Sequence, residues 1–317
     1  MAIPDLSVVI PTRDRPRRLE RTLLALRSCT GLSFEVLVVD DGSGASMTGV
    51  VENLGLDYPH EVLWQRAQGQ ARARNHGTLA ARGEWILFLD DDVVSQDGLL
   101  EAHCRRLNGS CDASLVLMGL RHSVSSSIWR HAARDDLEVL ERHKIADPRE
   151  AALQGTLWQR YPWAFLATCN ASFARRDLIR CGLFDEAYEG WGFEDTDLAY
   201  RLSHMDLSFE VLEDPYVLHL DPDSSLPLVD RERGLLPESK LKSYVRNGEY
   251  FVAKFSSDET LRALVENDRR RHLQNRPDTS FGAVLLAATA VRSRPLPAPT
   301  VPERLSLLSP LAPKDQS

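Results

Sequence analysis

Asp90, Asp91 and Asp92 stand in a row directly after the apolar run Trp85-Ile86-Leu87-Phe88-Leu89. Two unit charges about 4 Å apart repel by roughly 4 kcal/mol at an effective dielectric of 20. Three adjacent acids therefore need solvent, protons or a cation. Alternate residues of an extended segment face the same way, so Asp90 and Asp92 can address one site while Asp91 turns aside. Carboxylate oxygens of this kind suit Mg²⁺ or Mn²⁺. The plainer alternative is an acidic strand exit facing water. A second acidic group, Glu194-Asp195-Thr196-Asp197, follows Gly190-Trp191-Gly192-Phe193. A carboxylate there can take a proton from an attacking hydroxyl, or it can do no more than complement the start of a helix. Trp191 offers an apolar platform for a ring. His219 follows Val217-Leu218 and is either a packed residue or a third metal ligand.

The elements that must position these groups alternate in type. Leu6–Ile10 and Phe34–Val39 are short apolar runs rich in β-branched residues, and Trp85–Leu89 is a third; all three read as buried strands. Between them, Leu19, Leu23 and Leu26 recur at helical spacing after Asp14, a candidate N-cap, and residues 70–82 form a second helical stretch. Buried strands alternating with helices predict a mostly parallel sheet covered on both faces, whose ligand sits beyond the carboxyl ends of the strands. All three strands end in polar residues: Pro11-Thr12-Arg13, Asp40-Asp41 and the Asp triplet. Further on, the pattern predicts a helix over 96–107 and a strand over 113–120. A charged helical insertion follows over 128–149, then a strand over 171–174 and helices over 175–181 and 197–204. Strands over 207–212 and 217–219 and helices over 240–255 and 259–272 complete it. The expected division is a catalytic domain over 1–222, with 1–110 for the nucleotide and 111–222 for the acceptor. A helical extension over 223–293 and a proline-rich, disordered tail over 294–317 follow.

Composition bounds the rest. The chain has 317 residues, 43% hydrophobic and 26% charged, as in a soluble globular protein. A net charge of -8 argues against a nucleic-acid partner bound through its phosphates. Cys29, Cys104, Cys111, Cys169 and Cys181 show no zinc-type spacing and read as free thiols in a cytoplasmic protein. The apolar stretch 281–291 is too short to span a membrane. Peripheral contact with a membrane surface stays open.

The order Ser7-Val8-Val9-Ile10-Pro11-Thr12-Arg13, Val38-Val39-Asp40-Asp41-Gly42-Ser43, Ala73-Arg74-Asn75-His76-Gly77 and Phe88-Leu89-Asp90-Asp91-Asp92 resembles a GT-A-fold, family-2-type glycosyltransferase. The segment from Phe184-Asp185-Glu186 to Leu198 is similar to the acceptor motif of the galactosyltransferase-like branch. The resemblance covers about residues 5–220. It implies a Rossmann-like α/β domain that moves a sugar from a nucleotide donor, usually with inversion and with Mn²⁺ or Mg²⁺. It also implies Asp92 as the first metal ligand with Asp90 and His219 beside it, and Asp90 and Asp91 near the donor. Asp40 would meet a uracil N–H within the Pro11-Thr12-Arg13 loop, and Arg74 would lie near the base or diphosphate. Asp195 becomes the general base with Glu194 next to it, and Trp191, Gly192, Glu194 and Asp197 the acceptor side. Unaided, Asp40 and Asp41 with Gly42 read equally well as a turn. The acceptor is open among saccharide, small aglycone and glycolipid. Asn170-Ala171-Ser172 departs from the paired glycines of the galactosyltransferase-like branch, and no Q-x-x-R-W segment of a processive synthase follows, so a single transfer is expected. A sugar-1-phosphate nucleotidyltransferase would want a glycine-rich loop after the first strand. A non-catalytic nucleotide-sugar-binding scaffold would not need the acids at 194–197.

Overall fold

The computed structural model describes residues 3–29, 32–109, 114–131, 137–147, 149–150, 157–221 and 238–274. Eight strands form one sheet: β1 (Leu6–Thr12), β2 (Phe34–Asp41), β3 (His60–Gln65), β4 (Trp85–Leu89), β5 (Val93–Ser95), β6 (Leu115–Ser125), β7 (Asn170–Ala174) and β8 (Ser208–Asp221). Their spatial order is β3-β2-β1-β4-β7-β6-β8-β5. Pairs β1–β2, β1–β4, β2–β3 and β6–β8 run parallel, whereas β4–β7, β6–β7 and β5–β8 run antiparallel. The sheet is mostly parallel, with β7 inserted in reverse at its centre.

Alternate strand residues enter opposite cores. Val9, Phe88, Met118 and Phe173 face one, and Val8, Leu87, Leu89 and Leu117 the other. A sheet buried on both faces has no polar alternation to show, which is why its strands are legible as continuous apolar runs. The covering helices are α1 (Pro16–Ala25), α2 (Met47–Glu52), α3 (Gln70–Ala80), α4 (Leu99–Asn108), α5 (Ser126–His131), α6 (Leu137–Arg142), α7 (Leu157–Arg160), α8 (Arg175–Arg180), α9 (Glu194–Ser203), α10 (Glu238–Lys254) and α11 (Glu259–Gln274). Leu19 and Leu23 of α1 and Leu100 and Leu107 of α4 join the second core. Leu198 and Leu202 of α9, Phe251 of α10 and Leu261 of α11 join the first.

Several expectations change. Asp14 does not cap α1, since Arg15 holds that position without a side-chain bond. Asp14 instead adopts a left-handed backbone, and its Oδ1 accepts from the Gly44 amide at 2.7 Å, joining the loops after β1 and β2. The two runs at 207–212 and 217–219 fuse into the single strand β8, and α9 starts three residues before its expected position. The charged insertion holds the short helices α5 and α6 and a bridge between Ser123 and Ile145. Cys29, Cys104, Cys169 and Cys181 are free thiols. Cys111, the segment 281–291 and the proline-rich tail lie outside the described residues. Among the described residues no helix is long and apolar enough to cross a membrane.

Beneath the site, fully buried His103 of α4 braces the start of β7. Asn170 Nδ2 donates to the Leu120 carbonyl, so its Oδ1 accepts from His103 Nε2 at 3.0 Å; Nδ1 then accepts from Ser172 Oγ at 2.6 Å. Burial pushes the imidazole down to about 4, against the opposing Asn170 bond. Below pH 6.5 the unfolded chain binds a proton that the folded chain refuses until about pH 4. His103 should therefore remove about 3 kcal/mol of stability as pH falls from 7 to 4. Urea unfolding across that range measures the slope, and His103→Gln should make it shallower.

Candidate active site

The first corner of the site is set by the sheet edge. Antiparallel pairing of β5 with β8 brings Val93 level with His219, and the Leu220 amide donates to the Asp92 carbonyl at 2.9 Å. His219 Nε2 thereby lies 3.3 Å from Asp92 Oδ1 and 3.7 Å from Asp90 Oδ2. One ligand atom from each of Asp90, Asp92 and His219 falls within 4.8 Å of the others. Two oxygens held at about 2.1 Å by one octahedral ion stand about 3–4 Å apart. Two carboxylates and an imidazole on that spacing fit Mn²⁺ or Mg²⁺. Burial raises the Asp90 carboxyl, but His219 and Arg74 outweigh it and hold the group well below its ordinary range.

Asp91 turns away from this corner, although it lies in the turn between β4 and β5 and not in the strand from which that direction was expected. Thr12 Oγ1 donates to its Oδ2 at 2.7 Å, and Arg15 Nη1 lies 3.1 Å from its Oδ1. Burial, then the charge of Asp92, pushes it up to about 6. Its position makes it a tie between the β4 exit and the β1–α1 loop. Arg15 and Arg18 also stand 3.4 and 3.3 Å from Asp92 Oδ2, which leaves Oδ1 toward His219.

The second corner begins at the N-terminus of α9. Asp195 Oδ1 accepts from Thr168 Oγ1 at 2.7 Å and Oδ2 from the Thr168 amide at 3.0 Å. Glu194 is nearly enclosed, and burial with the neighbouring Asp195 charge pushes it up to about 7. Between the corners lies Arg74 of α3, 2% exposed. Its Nη2 donates to Asp90 Oδ1 at 3.1 Å, and Nη1 is 3.5 Å from both Glu194 and Asp195. The guanidinium rests 5.5 Å over the Phe184 ring. Next to it, Asn75 accepts from the Phe184 amide at 2.9 Å and donates to its carbonyl at 3.0 Å. One helix thus grips both acidic corners and the turn leading to the second.

Other expected residues have different surroundings. Asp197 is fully buried: Arg201 and Lys254 each approach its carboxylate to 2.6 Å, and the Tyr188 hydroxyl to 3.0 Å. That arrangement ties α9 to α10 and gives a ligand no exposed carboxylate surface. Asp40, 1% exposed, accepts from the Ser43 amide at 2.9 Å and the Met47 amide at 3.2 Å. Asp41 accepts from the Gln68 and Gly69 amides, both at 2.8 Å. Both acids therefore organise the turns beside β2. Pro11 and Thr12 are buried at the end of β1, and Arg13 is exposed beside Asp14.

Trp191 is 37% exposed, with Lys240 Nζ 5.1 Å over its ring and Tyr244 5.7 Å away. Its flanking glycines are required. Gly190 and Gly192 have φ of 76° and 98°, and a methyl group there would stand 2.8 Å from Ser243 and 2.9 Å from Tyr244. Buried Asn247 donates to the Gly192 carbonyl at 2.8 Å and the Glu189 carbonyl at 3.1 Å. Thr168, Arg15, Arg18 and Asn247 were not foreseen. Thr168 and Asn247 carry no local signal, whereas the arginines at 15 and 18 lie two and five residues beyond the Pro11-Thr12-Arg13 segment in a conspicuously basic helix start.

A curled, mostly parallel α/β sheet with acids at its strand exits defines a GT-A glycosyltransferase domain. The chain belongs to glycosyl transferase family 2, whose family model matches residues 7–181. A second model, the N-terminal domain of galactosyltransferase, matches residues 155–221. The chain is 27% identical over 269 residues to the uncharacterized glycosyltransferase YfnE of Bacillus subtilis, covering 71% of this chain and 67% of that one. It spans 26–51% of the length of several further curated relatives. Among solved structures, S. aureus TarS 1-349 in complex with UDP-GlcNAc is similar at TM-score 0.55 and 15% identity, over 89% of this chain and 91% of that one. The mannosyltransferase PcManGT from Pyrobaculum calidifontis, in complex with GDP-Man and Mn²⁺, reaches 0.55 at 18% identity, over 94% and 78%. The chain is accordingly a glycosyltransferase enzyme, and the nucleotidyltransferase and scaffold alternatives fall away.

Removing the Arg74 charge strands three carboxylates around one buried position. Arg74→Gln should cost about 3–5 kcal/mol in urea unfolding. Adding Glu194→Gln should recover part of that loss, because one of the stranded acids is then neutral.

Proposed function

We propose that this enzyme moves one sugar from a UDP-sugar to an acceptor hydroxyl, with a divalent metal and inversion at the anomeric carbon. The observation that carries the reading is the pair of acidic corners facing one another across Arg74. Asp90, Asp92 and His219 would hold the metal. A divalent cation there supplies Lewis-acid stabilisation of the charge on a departing diphosphate. The Mn²⁺ and UDP-GlcNAc in the two similar structures support this choice of cofactor and donor. Arg15 and Arg18 keep Asp92 oriented, and Asp91 fixes the loop they leave from.

Asp195 takes the proton of the acceptor hydroxyl as it attacks from the face opposite the nucleotide. Thr168 fixes its plane and Arg74 stands 3.5 Å from it, while Glu194 shares the same guanidinium. Trp191 and Gly192 present the acceptor platform. Residues 1–110 serve the nucleotide and 111–222 the acceptor, and α10, which follows them, braces the acceptor loop. The four free thiols are in keeping with a reducing, cytoplasmic setting.

Thermal shifts with UDP and UDP-sugars, with and without Mn²⁺, test the donor half: wild type should be stabilised only when both are present. Asp92→Asn should lose that stabilisation. Asp195→Asn should keep it while lowering nucleotide release during transfer by about 10²–10⁴-fold. Stabilisation by UDP that is indifferent to Mn²⁺, or near-normal turnover by Asp195→Asn, would defeat the reading.

A further inference from the structure

Arg121 of β6 is a cation at the site that has no assigned work. β7 begins at Asn170, level with Leu89, and Met118 of β6 pairs with Ala171. Asn170 Nδ2 donates to the Leu120 carbonyl at 3.0 Å. Immediately after Leu89 comes Asp90, and two residues before Asn170 comes Thr168, which holds Asp195. Arg121 thus emerges at the rim where the two acidic corners approach each other. On its other side, Arg121 is level with Val217 and Ser123 with His219, so Arg121 lies one strand repeat from the proposed metal ligand.

Each acid around Arg121 already has a partner. Asp147 accepts from the Arg121 backbone amide at 2.9 Å, but its charge is matched by Arg149 at 2.6 Å. Asp90 faces Arg74 and His219, and Asp195 faces Arg74 and Thr168. Among the described residues, the partly buried Arg121 guanidinium has no hydrogen bond or ion pair of its own. Burial works against its charge, but the fields of Cys169, Asp147, Asp90 and Asp195 outweigh it and hold the proton more firmly than usual. A partly desolvated fork of donors suits a planar or tetrahedral oxyanion.

We propose that Arg121 receives an anionic oxygen group of the donor between the Asp90-Asp92-His219 corner and Asp195. The inference rests on the nucleotide-sugar reading above and names a donor-binding residue which that reading lacks. Two parts of a donor carry the required chemistry: the diphosphate and, in a uronic-acid donor, the carboxylate of the transferred sugar.

Calorimetric titration of wild type, Arg121→Gln and Arg121→Lys with Mn²⁺ alone, then with UDP, UDP-glucose and UDP-glucuronate in Mn²⁺, separates these. Loss of one charge-assisted contact should weaken binding about tenfold or more in Arg121→Gln, with Arg121→Lys intermediate. An equal loss for all three ligands identifies the diphosphate, and a loss confined to UDP-glucuronate identifies the sugar carboxylate. Mn²⁺ alone should bind Arg121→Gln no more weakly than wild type, since a cation beside Asp90 has been removed. Unchanged affinity for all three ligands overturns the proposal. So does joint loss of Mn²⁺ and donor binding in both variants, the signature of a purely structural residue. Wild type that binds none of the three ligands would instead sink the donor reading, and this inference with it.

Discussion

A single guanidinium, Arg74, sealed from water, sets the distance between the two halves of this site. It reaches Asp90 on one side and Glu194 and Asp195 on the other, and Phe184 supports it from below. Buried charge is tolerated only when it is matched. The carboxylates therefore depend on Arg74 as much as Arg74 depends on them, and neither corner can shift without exposing an unmatched ion. Asn75, one residue on, adds a pair of bonds to the Phe184 backbone that needs no charge at all. Electrostatics and backbone hydrogen bonding meet on one short helix, and that helix is fixed to the sheet between β2 and β1.

What was legible in the sequence follows from burial. β1, β2 and β4 are enclosed on both faces, so their residues carry little but hydrophobicity and β-branching. β3 sits at the sheet edge with His60, Glu61 and Trp64 exposed, and its mixed composition hides it. The acids at strand exits were conspicuous because charge is scarce in such runs. Their partners were not, since Thr12 and Arg15 reach Asp91 across more than seventy residues of chain. Asp197 is instructive in another way. Its pairing with Arg201 follows an i,i+4 spacing visible in the sequence, yet the enclosing Lys254 arrives from a distant helix. Arg121 also follows an apolar run, 115–120, yet it lies within β6 and not at its exit.

The antiparallel elements do as much for the site as the parallel ones. A parallel sheet brings strand exits to one rim, and reversal of β7 adds the segment before Asn170 to that same rim. Thr168 can reach Asp195 only because of this reversal. The antiparallel β5–β8 pair does the equivalent for His219 by returning a late strand to the residues that directly follow Asp92.

The clamp that α10 places on the Gly190–Gly192 loop has a consequence in time. Asn247 leaves the ribosome more than fifty residues after the carbonyls it binds, and Tyr244 and Ser243 fill the space beside both glycines only after they too have been made. Strands β1, β2 and β4 with α1 and α3 can associate much earlier. During synthesis the strands that carry Asp90 can therefore pair first, whereas His219 arrives with β8 and the Gly190–Gly192 loop gains its support only when α10 docks.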